Sequence, residues 1–215
     1  MPAKLHSRPD LLLLLSLLLV ILLNPMMDHG DWRRLALAAL TFTPVIFPTV
    51  MLSQIRMWMW QSVLLMLLGL IFLVASNIFH SQALDGIRWG FLAAFFALAA
   101  VGLFCYLKNS RLLTQAHIFT AINIYLLLGM LWAAIYCAMD AFSPGSIQLG
   151  GYPTDRQSEL LYFSLITLST IGYGDAVPVS GETRMLAALE GVTGVLYLAI
   201  TVAILVSRFG RELSD

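Results

Sequence analysis

Six apolar runs, each near the length of a membrane crossing, constrain this chain more than any other feature. They lie at about Leu11–Met27, Arg34–Ser53, Met57–Asn77, Ile87–Leu107, Ile118–Met139 and Arg184–Ser207. A helix needs about 20 residues to cross about 30 Å of hydrocarbon. Only 11% of the residues are charged, against about 25% in a soluble domain. The expected fold is therefore an all-α membrane protein with six transmembrane helices, its partner the lipid bilayer. The first run is the shortest. Asn24-Pro25-Met26-Met27 follows it in place of a small-residue cleavage site, so it reads as a retained signal-anchor helix. The second holds Pro44 and Pro48 and is expected to kink. Trp32, Trp58, Trp60 and Trp89 lie near predicted ends, where aromatic belts form.

Loop charges set an expected orientation. With both termini on the cytoplasmic side, that side holds Lys4, Arg8, Arg56, Lys108, Arg111, Arg208 and Arg211, seven charges against five outside (Arg33, Arg34, Arg88, Arg156 and Arg184). The excess follows the positive-inside rule. A net charge of zero gives no argument for a nucleic-acid partner. Cys105 and Cys137 sit inside apolar runs without metal-ligand spacing and read as buried free thiols. No cofactor is implied. His6, His29, His80 and His117 fall in loops or at predicted ends; they read as interfacial residues, with pH sensing the alternative. Eight residues follow Ser207, and no ligand-binding domain is expected there.

The longest loop, Asp140 to Thr154, leads into Leu160–Leu168, a stretch too short to span and suited to a re-entrant segment. Thr154 and Gln157 are placed to form a capping box opening a helix that runs to about Leu168. Thr167-Leu168-Ser169-Thr170-Ile171-Gly172-Tyr173-Gly174-Asp175 follows. A filter that strips water from potassium needs successive backbone carbonyls aimed at one axis. Its residues must alternate between unusual conformations, which glycine adopts without steric cost. Gly172 and Gly174 occupy alternate positions. Thr170 can add a hydroxyl ligand at the inner end, while Ile171 and Tyr173 would point backward and brace the strand. The negative end of the preceding helix dipole would favour a cation below the filter.

Tyr162-Phe163-Ser164-Leu165-Ile166-Thr167-Leu168 and the run through Asp175 together resemble the pore helix and selectivity filter of the tetrameric potassium channels. The resemblance covers about Ile118–Phe209. It places Pro178 at the post-filter proline and Gly194 at the inner-helix hinge, with Gly191 one turn earlier. Val206-Ser207-Arg208-Phe209 is similar to the inner-helix end of the voltage-gated branch. It implies a homotetramer, with potassium bound by Thr170, Ile171, Gly172, Tyr173 and Gly174. It implies filter support from Tyr162, Phe163, Thr167 and Asp175, and a cavity lined by Val195, Leu198 and Val202. Two positions depart from the pattern. Ile171 replaces the commoner valine, and Ile166 stands where some relatives carry a glutamate paired to the aspartate after the filter.

Glu190 is the only acid deep in a predicted span, and such an acid is a functional candidate by default. It lies roughly 110° around the helix from the mean direction of Val195, Leu198 and Val202. Three roles are open to it: an ion attractor in the cavity, a support for the filter through Ser164, Thr167 or Ser169, or a protonated group in an ordinary interface. The helical positions also give two readings for Gly194 and Gly191, a hinge or close packing. The fourth run carries only Arg88, at its outer end, so an arginine-ladder voltage sensor is not expected. Residues 1–111 read as a four-helix peripheral unit, joined through Lys108-Asn109-Ser110-Arg111 to a pore unit over 112–215. The expected function is passive potassium conduction rather than enzymatic catalysis. A weakly selective cation channel and a pore-loop potassium transporter subunit are the alternatives, and an accessory subunit is neither implied nor excluded.

Overall fold

The structure is a computed structural model that describes residues 9–24, 56–109, 115–151 and 155–212. Its elements are α1 (Pro9–Leu23), α2 (Arg56–Phe79), α3 (Gln82–Asn109), α4 (Gln115–Phe142), β1 (Ile147–Gln148), α5 (Arg156–Leu168), β2 (Val177–Pro178) and α6 (Gly181–Glu212). Among the described residues, four stretches are long and apolar enough to cross a membrane: Trp60–Phe79, Gln82–Lys108, Ala116–Phe142 and Gly181–Ser207. The chain is an all-α, multi-pass membrane protein. The expected second span, with Trp32, Pro44 and Pro48, lies outside the described residues, as do His6 and His29.

The α1 helix opens on Pro9, whose missing N–H is no loss at a first helical position. Its 15 residues reach about 22 Å, short of the hydrocarbon thickness. Asp10, Leu13, Leu17 and Val20 form its buried stripe, spaced for one helical face. That stripe packs on α4, where Thr120 Oγ1 donates to Asp10 Oδ1 at 3.1 Å and Asn123 Nδ2 to the Asp10 carbonyl at 2.8 Å.

The α2 and α3 helices form a hairpin closed by His80 and Ser81, with His80 in the left-handed region at φ 48°. Arg88 near the start of α3 is held locally, 2.7 Å from Asp85 and over the Trp89 ring at 4.3 Å. Alanines let α3 and α4 approach closely. Ala93, Ala99 and Ala100 of α3 and Ala121, Ala133 and Ala134 of α4 are buried in one apolar cluster with Phe95, Phe96 and the α1 leucines. Cys137 is buried, but Cys105 is exposed, on a face of α3 that no described helix covers; the expectation of two buried thiols holds for Cys137 alone.

The turn after α4 pairs with the segment before α6. Ile147 lies opposite Pro178 and Gln148 opposite Val177, antiparallel. The Ser146 carbonyl accepts from Val179 N at 2.9 Å, Ser180 N at 3.3 Å and Thr183 Oγ1 at 2.9 Å. Ser180 caps α6, its hydroxyl accepting from Thr183 N at 3.2 Å. Arg156 then ties the start of α5 to the end of α4 by pairing with the Asp140 carboxylate and donating to the Ile147 carbonyl at 3.3 Å. Residues 170–176 are thus spanned on both sides by elements fixed to one another.

Candidate functional site

At 13 residues, α5 is about 20 Å long and does not cross the bilayer. Its N-cap is Asp155, at φ −64° and ψ 141°, with no side-chain cap bond. The expected capping box begins at Thr154, which lies outside the described residues. The helix ends at Leu168, as its apolar pattern implies.

The way α5 ends was not legible in the sequence. Thr170 N donates to the Thr167 carbonyl at 3.0 Å and Ile171 N to the Ile166 carbonyl at 2.9 Å, the paired bonds of a Schellman motif. The left-handed position of that motif is normally glycine; here it is Thr170, at φ 59°. A β-branched residue in that conformation costs about 1–3 kcal/mol. The chain therefore keeps a threonine where conformation alone selects against one.

Positive φ recurs at alternate residues: Thr170 at 59°, Gly172 at 54° and Gly174 at 82°. Nothing stands within 4 Å of a Cβ built on either glycine, so conformation and not space excludes a side chain. Alternation of positive and negative φ turns successive peptide planes to one side, as a row of convergent carbonyls requires. Ile171 and Tyr173 between them are 54% and 71% exposed in the single chain.

Asp175 closes the run. Tyr162 Oη donates to Asp175 Oδ2 at 2.7 Å, and Oδ1 accepts from Ala176 N at 3.0 Å. Ile166 is buried behind the run, and its carbonyl also accepts from Gly172 N at 3.2 Å. Tyr162 thus supplies the side-chain partner of Asp175.

Glu190 is completely buried and turned away from Val195, Leu198 and Val202, which are all half-exposed. Tyr136 Oη donates to Glu190 Oε2 at 2.6 Å. Ser164 Oγ lies 2.6 Å from Glu190 Oε1 and 2.8 Å from the Gly129 carbonyl oxygen. Three helices, α4, α5 and α6, meet at this one carboxyl group. Of the three hydroxyl partners expected, Ser164 is there. Ser169 turns back to the Leu165 carbonyl at 2.7 Å. Thr167 presents its carbonyl 3.9 Å from a Cβ built on Gly191. Tyr136 was missed: it stands 54 positions from Glu190, and no spacing rule links them. Phe163 packs edge-on against its ring at 5.0 Å.

Gly194 is pressed against the end of α5. A Cβ there would collide with the Leu168 carbonyl oxygen, the same oxygen that accepts from Tyr125 Oη at 3.2 Å. Close packing is thus a sufficient reason for this glycine. One turn on, Tyr197 Oη donates to the Ala121 carbonyl at 2.5 Å, fixing α6 to α4.

No cluster of His, Cys, Asp and Glu suited to a metal occurs among the described residues. The family described as "Ion channel" matches residues 112–211, the segment that holds every feature above. Over 80 residues the chain is 38% identical to two pore potassium channel a of Oryza sativa subsp. japonica, covering 37% of this chain and 20% of that one. It is 30% identical over 93 residues to the inward rectifier potassium channel Kirbac3.1 of Paramagnetospirillum magnetotacticum, covering 41% and 28%. It is 44% identical over 61 residues to the human potassium voltage-gated channel subfamily KQT member 3, covering 28% and 7%. The chain thus spans well under a third of the length of each of these relatives. No solved structure matches significantly. The matched segment is thus similar to ion channels, and the relatives named here are potassium channels.

Proposed function

We propose that the chain is one subunit of a potassium-selective channel, in which four copies surround a common axis and residues 170–174 of each form one wall of the filter. The observation that carries this reading is the alternating left-handed backbone at Thr170, Gly172 and Gly174, set at the C-terminal end of a helix too short to cross the bilayer. Carbonyls arranged in this way replace the hydration shell of a dehydrated cation. The helix end behind them contributes a negative dipole. The relatives whose printed names specify potassium favour that ion.

One chain makes one wall, so the rest must come from copies. The exposed Ile171 and Tyr173 side chains and the half-exposed α6 residues Val195, Leu198 and Val202 are apolar surface that a neighbouring subunit and the pore lining would use. In this reading Thr170 contributes its hydroxyl as the innermost ligand. Tyr162, Phe163, Thr167, Asp175 and Glu190 steady the filter and its helix. Gly194, with Gly191, is where α6 bends on opening, a role that adds to the packing already described. Residues 1–111 form the peripheral unit, and both termini face the cytoplasm.

Two measurements on the purified protein test the proposal. Native mass determination should give four chains per particle, and planar-bilayer recording should show unitary currents in symmetric potassium. A stable single-chain particle, or a tetramer without unitary currents under any tested tension, pH or lipid composition, would overturn it.

A further inference from the structure

The proton count at the junction of α4, α5 and α6 assigns a chemical state to Glu190. Ser164 Oγ has one hydrogen and two oxygen neighbours within bonding distance, the Gly129 carbonyl at 2.8 Å and Glu190 Oε1 at 2.6 Å. A main-chain carbonyl can only accept. If the serine donates to Gly129, the hydrogen in the contact with Glu190 must come from the carboxyl group. If it donates to Glu190 instead, the Gly129 carbonyl at 2.8 Å is left with at most a share of that one hydrogen. On the other side Tyr136 Oη donates to Oε2 at 2.6 Å, which leaves Oε1 as the protonated oxygen.

The surroundings agree. Glu190 is completely buried, and the ion pairs Arg88–Asp85 and Arg156–Asp140 both lie elsewhere. A buried carboxylate without a cation is expensive, whereas a neutral acid with every bond satisfied is not.

We propose that Glu190 is a neutral carboxylic acid acting as a directional clasp: Tyr136 Oη–H to Oε2, Oε1–H to Ser164 Oγ, and Ser164 Oγ–H to the Gly129 carbonyl. Each carboxyl oxygen has one assigned partner and no hydrogen is shared. The clasp makes Glu190 a positioning residue, since it fixes the middle of α5 to both flanking helices without touching residues 170–174. That it thereby steadies a filter rests on the channel reading above; its protonation does not.

A primary amide keeps both elements of this pattern: in Glu190→Gln the amide oxygen accepts from Tyr136 and one N–H donates to Ser164, while the second N–H is an added donor that the clasp does not use.

The test is infrared spectroscopy of the purified full-length protein at neutral pH, wild type minus E190Q. The proposal requires a protonated-carboxyl carbonyl band in the wild type, shifted in heavy water and lost in the variant. A difference confined to the carboxylate stretches overturns it. The second arm compares heat stability of the assembly and single-channel behaviour. E190Q should keep the unitary current and retain more heat stability than Glu190→Leu, which should lose stability or unitary current. If E190Q fails as E190L does, the clasp pattern is refuted even where the infrared band is present. Because the infrared arm needs no current, its failure is distinguishable from failure of the channel reading.

Discussion

The Tyr162 hydroxyl donates to Asp175 Oδ2 at 2.7 Å, joining the middle of α5 to the residue that ends the Gly-Tyr-Gly run. It is the side-chain bond that closes the run against its own helix. A hydrogen bond to a charged group contributes about 1.5–3 kcal/mol, which is tenfold or more in a local equilibrium. Tyr162→Phe should lower the fraction of time spent conducting by about that factor, with unitary conductance preserved. Single-channel dwell times measure this. Unchanged dwell times would show that the bond does not steady the conducting form.

Gly172 stands at φ 54° with open space about it, so Gly172→Ala tests conformation without a clash. A left-handed L-residue costs roughly 1–2 kcal/mol per chain, or about 4–8 kcal/mol over four. Assembly should survive, and potassium current should be abolished. At Thr170, Ser keeps the hydroxyl and Val removes it, so Thr170→Ser should conduct and Thr170→Val should lose conductance or selectivity. Equal currents from both Thr170 variants would remove the hydroxyl from the account.

The two α6 glycines should separate. A Cβ at Gly194 strikes the Leu168 carbonyl, whereas one at Gly191 meets only the Thr167 carbonyl, at an ordinary 3.9 Å. Gly191→Ala should leave the heat stability of the assembly unchanged. Gly194→Ala should lower both open probability and the heat stability of the assembly, because the end of α5 must move. A Gly194→Ala protein of normal stability but low open probability would isolate the bending role from the packing one.

Voltage should have little effect on opening. Arg88, the one arginine of α3, sits near its start and is already paired to Asp85 and laid over Trp89. A sweep of about 200 mV supplies about 4.6 kcal/mol per gating charge. In symmetric potassium without blocking ions, the conductance–voltage relation should correspond to less than about one such charge. A steep relation would mean that charges beyond Arg88 move through the field.

Four of the six expected spans were legible because lipid leaves a chain few choices, and hydropathy located them; α1 is shorter than a span, and the second expected span lies outside the described residues. Hydropathy also underestimated the lengths of the four. Gln82-Ala83-Leu84-Asp85 and Asp140-Ala141-Phe142 are helical although they carry polar residues, since helices continue past the hydrocarbon. The Gly172–Gly174 alternation was legible because glycine marks a backbone requirement. Thr170 was not, since its side chain argues against the conformation it adopts. The β1–β2 pair is two residues per strand, too short for any alternation to register. The Glu190 clasp was half legible: a lone acid in an apolar helix announces a partner, and Ser164 was among those expected, but Tyr136 becomes its neighbour only when α4 and α6 pack.

Potassium selectivity carried by residues 170–174 is the central claim, and the reversal potential of the purified protein in a bilayer tests it most directly, with potassium on one side and sodium on the other. The account predicts a reversal potential that tracks the potassium gradient as concentrations are varied, and loss of that current in Gly172→Ala. A tetramer whose reversal potential stays near zero under the two-ion gradient, passing sodium as readily as potassium, would contradict it.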